Sequence, residues 1–298
     1  MNAADPPLPR TELLHPEAAS SSDPRRWLEL FDRAEPCVAS ALSARGEEIL
    51  SLGRAMAAAL GGGGRIIHAG AGTSGRLGAL DAAEWPPTFG VAPGRVLACV
   101  AGGSAALTGA VEGAEDDAAA GARASAELGL GSADLIVGIS ASGSAPWLLA
   151  LLAGARERGA RRALISAAPS PLADPALLRI ELDLGAELLA GSTRLAAATA
   201  THRVLQRASC LCAVELGWIH RGRMVELRPT NEKLRARARR IVAELARIPA
   251  EEAARALARS EDDIKVAIVS AALRLPIDEA RRRLAVAGRR LSAFEELA

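Results

Sequence analysis

The 298-residue sequence lacks tyrosine and has few aromatic residues of any kind, with three phenylalanines and four tryptophans. Its core must therefore be built from Ala, Leu, Val and Ile, which is possible because 50% of the residues are hydrophobic. An excess of charge of either sign is also absent, since 36 basic residues face 35 acidic ones. Without such an excess, no overall field attracts nucleic acid or an anionic membrane. We therefore predict a folded protein with neither kind of partner.

Cysteine pairs with metal-binding spacing are also missing. The four cysteines (Cys37, Cys99, Cys210 and Cys212) form no CxxC pattern, and nothing resembles a zinc ligand set. No apolar run reaches the roughly 18 residues that a membrane helix needs, and no charged segment followed by an apolar run opens the sequence. These features predict a soluble protein of the reducing cytoplasm.

What the sequence does contain is an alternation of strand-like and helix-like segments. Short apolar runs at 65–69, 95–100, 134–139 and 162–165 are separated by small residues and helical patterns. This alternation predicts an α/β fold with three layers, in which a parallel sheet lies between helices. We expect an N-terminal arm and helices over 1–60, with 1–24 unpacked, a ligand-binding domain over 61–235 and a C-terminal helical subdomain over 236–298.

A glycine-rich loop follows the first predicted strand. The run GAGTSG at 70–75 fits the GxGxxG pattern of dinucleotide-binding proteins, but that pattern is weak alone. A dinucleotide site also needs an acidic residue at the end of the second strand, where this sequence reads CVAGG at 99–103. No GK[ST] sequence follows the glycines, so a nucleotide P-loop is excluded.

A second loop, SASGSA at 140–145, follows another predicted strand and shares the first loop's hydroxyl groups. Backbone N–H groups at strand-to-helix turns favour an anion, so two such loops on adjacent strands predict a phosphate site without a metal or organic cofactor. The alternative is that the hydroxyl groups only cap the two helices. The predicted phosphate-binding residues are Gly72, Thr73, Ser74, Gly75, Ser140, Ser142, Gly143 and Ser144.

The sequence resembles the N-acetylmuramic acid 6-phosphate etherases, which are built on the sugar isomerase (SIS) domain. The resemblance is carried by GAGTSGRLGALDAAEWPPTFG at 70–90 and AGGSAALTGAVEGAEDD at 101–117. It continues in GSTRL at 191–195, PTNEKL at 229–234 and IKVAIV at 264–269. The resemblance implies a flavodoxin-like SIS fold, a homodimer with its site at or near the subunit interface, and a 6-phosphosugar substrate.

The family reaction removes D-lactate from C3 of the sugar by elimination, after which water adds to the alkene. By resemblance, Glu84 is the acid toward the leaving lactate and Glu115 the base at C2. We expect Glu84 to end its helix beside Pro86-Pro87. Arg194 is a candidate for the substrate carboxylate, because a guanidinium fits that group.

Several polar positions depart from the family pattern. Ala196 stands where the family has lysine, Ser144 where it has arginine, and Ala168 where it has asparagine. Two other functions therefore stay open. One is a sugar-phosphate-binding regulator without activity, like the glucokinase regulatory protein. The other is an SIS-type isomerase, in which the same glutamates would move protons.

Overall fold

The computed structural model describes residues 10–297 of the chain. A five-stranded parallel sheet confirms the predicted α/β class, with helices on both sides of the sheet. Its strands are β1 (Ile66–Gly70), β2 (Val96–Val100), β3 (Leu135–Ile139), β4 (Arg161–Ser166) and β5 (Leu178–Glu181). They lie in the order β2-β1-β3-β4-β5. The two strands β1 and β3 are buried at every position, as expected of a sheet covered on both faces.

The pairing register brings the carboxyl ends of the central strands level with one another. Gly70, the last residue of β1, lies opposite Val100 of β2 and Ile139 of β3. The segments that follow β1 and β3 therefore leave the sheet side by side. The two hydroxyl-rich loops must be adjacent in this way if they are to bind one phosphate together.

Three helices precede the sheet, and five further helices connect or follow its strands. The N-terminal helices are α1 (Pro16–Ala19), α2 (Pro24–Ala44) and α3 (Gly46–Gly61). Those that follow β1 are α4 (Gly72–Phe89), α5 (Ala105–Thr108), α6 (Ala118–Glu127), α7 (Pro146–Glu157) and α8 (Ala196–Glu215). The helical prediction for 25–60 is confirmed, but the prediction of an unpacked arm over 1–24 is wrong for its described part. Ala18 is buried in a small cluster with Leu30 and Leu188, and Thr11 is buried too. Residues 1–9 lie outside the described range.

The chain divides into two compact units. The first comprises described residues 10–83 and 94–209 and contains the sheet. The second comprises residues 84–93 and 210–297. Its own elements are β6 (Ile219–His220), β7 (Arg223–Met224), α9 (Glu232–Ala246), α10 (Ala250–Arg259), α11 (Ile264–Ala272) and α12 (Ile277–Val286).

Aliphatic side chains of α9 to α12 form the core of the second unit, among them Ile241, Leu257, Ile268 and Leu284. The hairpin of β6 and β7 lies between α8 and α9 in the chain. Its turn, Arg221-Gly222, has positive φ at both residues (49° and 73°), which is the type I′ geometry that joins short antiparallel strands. Between residues 10 and 297, no helix is both long and apolar enough to span a membrane.

Candidate active site

The glycine-rich segment after β1 turns almost at once into helix α4. Gly72 begins the helix with φ of 51°, so Thr73 and Ser74 lie in its first turn. Gly75 allows the helix to approach the sheet closely, because a Cβ atom there would lie 2.5 Å from the carbonyl oxygen of Gly70. The first amide groups of an α-helix have no partners within the helix and carry its positive dipole end. The segment thus presents N–H and hydroxyl donors at the edge of the sheet.

The segment after β3 is held in shape by its own serines. The backbone N–H of Gly143 donates to Oγ of buried Ser140 (3.1 Å), and Gly143 has a φ of 68°. Ser144 donates to Oγ of Ser142 from both its hydroxyl group (3.1 Å) and its backbone N–H (3.3 Å). Helix α7 then begins at Pro146. Gly143 and Ser144 therefore shape the loop that presents Ser140 and Ser142.

The two segments line one pocket of about 240 Å³ in the first unit. Five of the predicted phosphate-binding residues are in its wall, together with Glu115. The wall consists of Thr11, Glu12, Ala71, Gly72, Thr73, Ser74, Glu115, Ile139, Ser140, Ala141, Ser142, Ala145, Gly191 and Thr193. Hydroxyl groups, helix amides and carboxylates thus share a space large enough for part of a sugar phosphate.

Glu115 lies in a turn before α6. Its carbonyl oxygen accepts the backbone N–H of Trp147 (2.9 Å), which ties the turn to the start of α7. Asp117 caps α6 through the N–H of Ala120 (2.8 Å). The Glu115 side chain is exposed and makes no hydrogen bond or ion pair within the described residues. Its carboxylate is therefore available to a ligand in the pocket.

Glu84 belongs to the second unit, where it is exposed on α4. The prediction that it ends this helix is wrong, because α4 continues through Pro86 and Pro87 to Phe89. Proline lacks an amide donor and normally breaks a helix. Here buried Trp85 packs edge-to-face on Phe89, with ring centroids 5.5 Å apart, and Phe89 lies 6.1 Å from Trp218. Burial of these rings offsets the lost hydrogen bonds.

Arg194 lies in the wall of a separate cavity of about 450 Å³ in the first unit. From the same segment, Gly191 and Thr193 line the 240 Å³ pocket instead. The role of Arg194 toward a substrate carboxylate stays a prediction. Near it, buried Glu187 accepts the backbone N–H groups of Ala196 (3.0 Å) and Ala197 (2.9 Å) at the start of α8.

His68 is buried in β1. Its Nε2 lies 2.9 Å from a carboxylate oxygen of Asp81 on α4. The Arg76 guanidinium donates to the carbonyl oxygens of Ala106 (2.9 Å) and Gly109 (2.6 Å), and so ties α4 to the segment around α5.

Two contributions to the pocket were missed in the sequence: the N-terminal pair Thr11-Glu12, and Gly191 with Thr193. Their partners are far away along the chain. For example, the N–H of Gly191 donates to the carbonyl oxygen of Thr11 (2.8 Å). A short polar segment among prolines carries no local signal for such a contact.

Similar proteins are found among protein families, sequences and solved structures. The family model of the glucokinase regulatory protein N-terminal SIS domain matches residues 49–155. A protein of Rubrobacter xylanophilus named N-acetylmuramic acid 6-phosphate etherase is 45% identical over 90% of this chain and 89% of its own length. A protein of Geobacillus thermodenitrificans with the same name is 41% identical, covering 87% of this chain and 88% of its own. Phosphoheptose isomerase GmhA from Neisseria gonorrhoeae aligns with a TM-score of 0.43 and 18% identity, over 63% of this chain and 97% of that chain.

Proposed function

The chain belongs to the N-acetylmuramic acid 6-phosphate etherase family, and we propose that it cleaves the D-lactyl ether of N-acetylmuramic acid 6-phosphate. The products are N-acetylglucosamine 6-phosphate and D-lactate. The observation that carries this function is the 45% identity to an etherase over 90% of the chain. The pocket described above supports it, because its two hydroxyl-bearing loops suit a phosphate and its wall contains a free glutamate.

The 6-phosphate occupies the space between Thr73-Ser74 and Ser140–Ser142 in this proposal. The N-terminus of α4 supplies positive potential, and the hydroxyl groups supply hydrogen-bond donors. The parallel register of β1 and β3 supports this position, since both loops leave the sheet at the same level. Gly75 and Gly143 contribute by letting the backbone approach and turn.

The reaction follows from the chemistry of the open-chain sugar, whose aldehyde at C1 acidifies the hydrogen on C2. Glu115 removes this proton as the base, the C3–O bond breaks, and Glu84 donates a proton to the departing ether oxygen. Water then adds to the alkene, with its hydroxyl group at C3 and its proton at C2. A positioned general acid or base contributes roughly 10²–10⁴-fold to the rate.

We place this reaction in a homodimer, as the family resemblance implies. Apolar side chains of the first unit that a partner would cover include Leu80 on α4, Leu107 on α5 and Val111, each more than 40% exposed. A symmetric dimer contains two equivalent sites. In the arrangement we propose, each site takes Glu115 from one chain and Glu84 from the other.

The first test is D-lactate release from N-acetylmuramic acid 6-phosphate by the wild type and by Glu84→Gln and Glu115→Gln. Each substitution should lower kcat by about 10²–10⁴-fold. The control is Glu112→Gln, since Glu112 is exposed, lies in the same segment as Glu115 and is absent from the pocket wall. A wild type that binds the sugar phosphate without releasing lactate would favour the regulator. Conversion of a phosphosugar without lactate would favour the isomerase.

The second test mixes the two inactive variants. If each site combines both chains, equal amounts of Glu84→Gln and Glu115→Gln subunits give mixed dimers with one intact site. Random exchange makes about half of the dimers mixed, so activity should recover to about a quarter of wild type. No recovery after exchange has been verified by mass spectrometry would mean that both glutamates act from one chain.

A further inference from the structure

The wall of the pocket includes a carboxylate that the proposed reaction does not use. It belongs to Glu12, at the end of a short 3-10 turn, Arg10–Glu12. Resting on the proposed function, we propose that Glu12 is a recognition residue that accepts a hydrogen bond from the uncharged part of the bound sugar. It would thereby distinguish a sugar phosphate from phosphate alone.

The turn is fixed in place by backbone contacts. Thr11 is buried, and its carbonyl oxygen accepts the N–H of Gly191 (2.8 Å). Gly191 has a φ of 76°, and a Cβ atom there would lie 2.8 Å from Oε2 of Glu12. The carboxylate therefore rests against a position at which a side chain would displace it. Glu12 and Gly191 form one continuous piece of the wall.

The carboxylate of Glu12 is also free. Within residues 10–297 it makes no hydrogen bond or ion pair, whereas the nearby Glu17 binds the guanidinium groups of Arg26 and Arg33. Arginines bind Glu17 and helix amides bind Glu187, but the Glu12 carboxylate stays open to the pocket. An ionised carboxylate can only accept hydrogen bonds, so its ligand must donate one.

The substrate offers two kinds of group to this acceptor. Its phosphate and its lactyl carboxylate are anions, which a carboxylate repels. Its hydroxyl groups and its amide N–H are uncharged donors, and these lie along the sugar. With the phosphate at the first turn of α4 and the loop after β3, the sugar is the part left to meet Glu12.

The experiment compares two ligands by isothermal titration calorimetry: N-acetylglucosamine 6-phosphate and inorganic phosphate. Glu12→Ala should weaken the binding of the sugar phosphate roughly 10- to 100-fold, the range for a hydrogen bond to a charged group. The affinity for inorganic phosphate should be unchanged or slightly higher. Glu12→Gln should give a smaller loss, because its amide oxygen still accepts. Glu47→Gln is the control, since Glu47 is exposed on α3 away from the pocket wall.

Two results would overturn the inference. An equal loss of affinity for both ligands would mean that Glu12 only supports the loop around Gly191. Unchanged affinity for both would mean that its carboxylate does not meet the ligand. Because the comparison needs binding and not turnover, a wild type that binds both ligands but releases no lactate would refute the proposed function without deciding this one.

Discussion

Replacement of Glu187 by glutamine should destabilise the first unit more than an ordinary change of a helix cap. The side chain of Glu187 is 2% exposed, and its two oxygens accept the N–H groups of Ala196 and Ala197 at 3.0 and 2.9 Å. Both donors belong to the first turn of α8, where N–H groups have no partner within the helix. One carboxylate therefore satisfies two amides and also meets the positive end of the helix dipole.

The size of the effect follows from these two bonds. A hydrogen bond to a charged group contributes about 1.5–3 kcal/mol. Glutamine has one carbonyl oxygen for two donors, and its NH₂ group would face the second N–H. One charged bond weakens to a neutral bond, and a buried donor loses its partner, so we expect Glu187→Gln to cost about 2–4 kcal/mol. Glu187→Ala removes both bonds and should cost more.

Thermal unfolding followed by circular dichroism is a suitable assay. For a unit of this size 1 kcal/mol shifts Tm by about 2–4 °C, so Glu187→Gln should melt roughly 4–16 °C below wild type. The matched control is Asp117→Asn at the N-terminus of α6. Asp117 caps the helix through one bond to Ala120 and its side chain is 49% exposed. Asparagine caps as well as aspartate, so the control should shift Tm by about 1 °C or less. Equal shifts for the two variants would refute the reasoning about Glu187.

Two further predictions concern the first unit. Gly75→Ala should lower the free energy of unfolding by about 1–3 kcal/mol and weaken phosphate binding, because its methyl group would meet the Gly70 carbonyl oxygen at 2.5 Å. Unfolding and phosphate titration of the variant measure the two effects. An unchanged stability and an unchanged phosphate affinity would contradict the close approach. Burial alone would raise the pKa of the Asp134 carboxyl, but hydrogen bonds from Arg65 and Gly131 outweigh it and leave that pKa below its usual value. The stability that Asp134 contributes is therefore present above about pH 4 and is lost as the pH falls below that value. The difference in urea midpoint between wild type and Asp134→Asn should persist from pH 7 to 5 and shrink toward pH 3. A difference that stays constant at low pH would count against this ion pair.

The sequence allowed the frame of the first unit to be predicted because its signals are local. Apolar runs such as Leu135–Ile139 are followed directly by small hydroxyl residues, and parallel strands place such loops at one edge. Four of the five strands and the pocket residues on both loops followed from this reasoning. Strand β5 did not, because its four residues include Arg179 and Glu181 and form no apolar run.

What could not be predicted depends on contacts between distant segments. Pro86 and Pro87 predict the end of a helix, yet the burial of Trp85 and Phe89 keeps α4 helical to Phe89. The packing of Thr11 depends on Gly191, which lies far along the chain. Propensity and periodicity describe neighbours in sequence and carry no information about such partners.

At two of the departures from the family pattern, the local structure depends on groups that the replacing residue also provides. At Ala196, where the family has lysine, Glu187 binds the backbone N–H, which every residue except proline provides. At Ser144, where the family has arginine, the hydroxyl and backbone N–H both support Ser142. The loops and the start of α8 thus keep their geometry, while two positive charges are absent. Since α4 still offers its N-terminal amides to the phosphate, we expect the changes to affect substrate affinity more than the two glutamates' proton transfers. Kinetic measurements would show this division as a high KM in the wild type. A lowered kcat would be seen only when Glu84 or Glu115 is substituted.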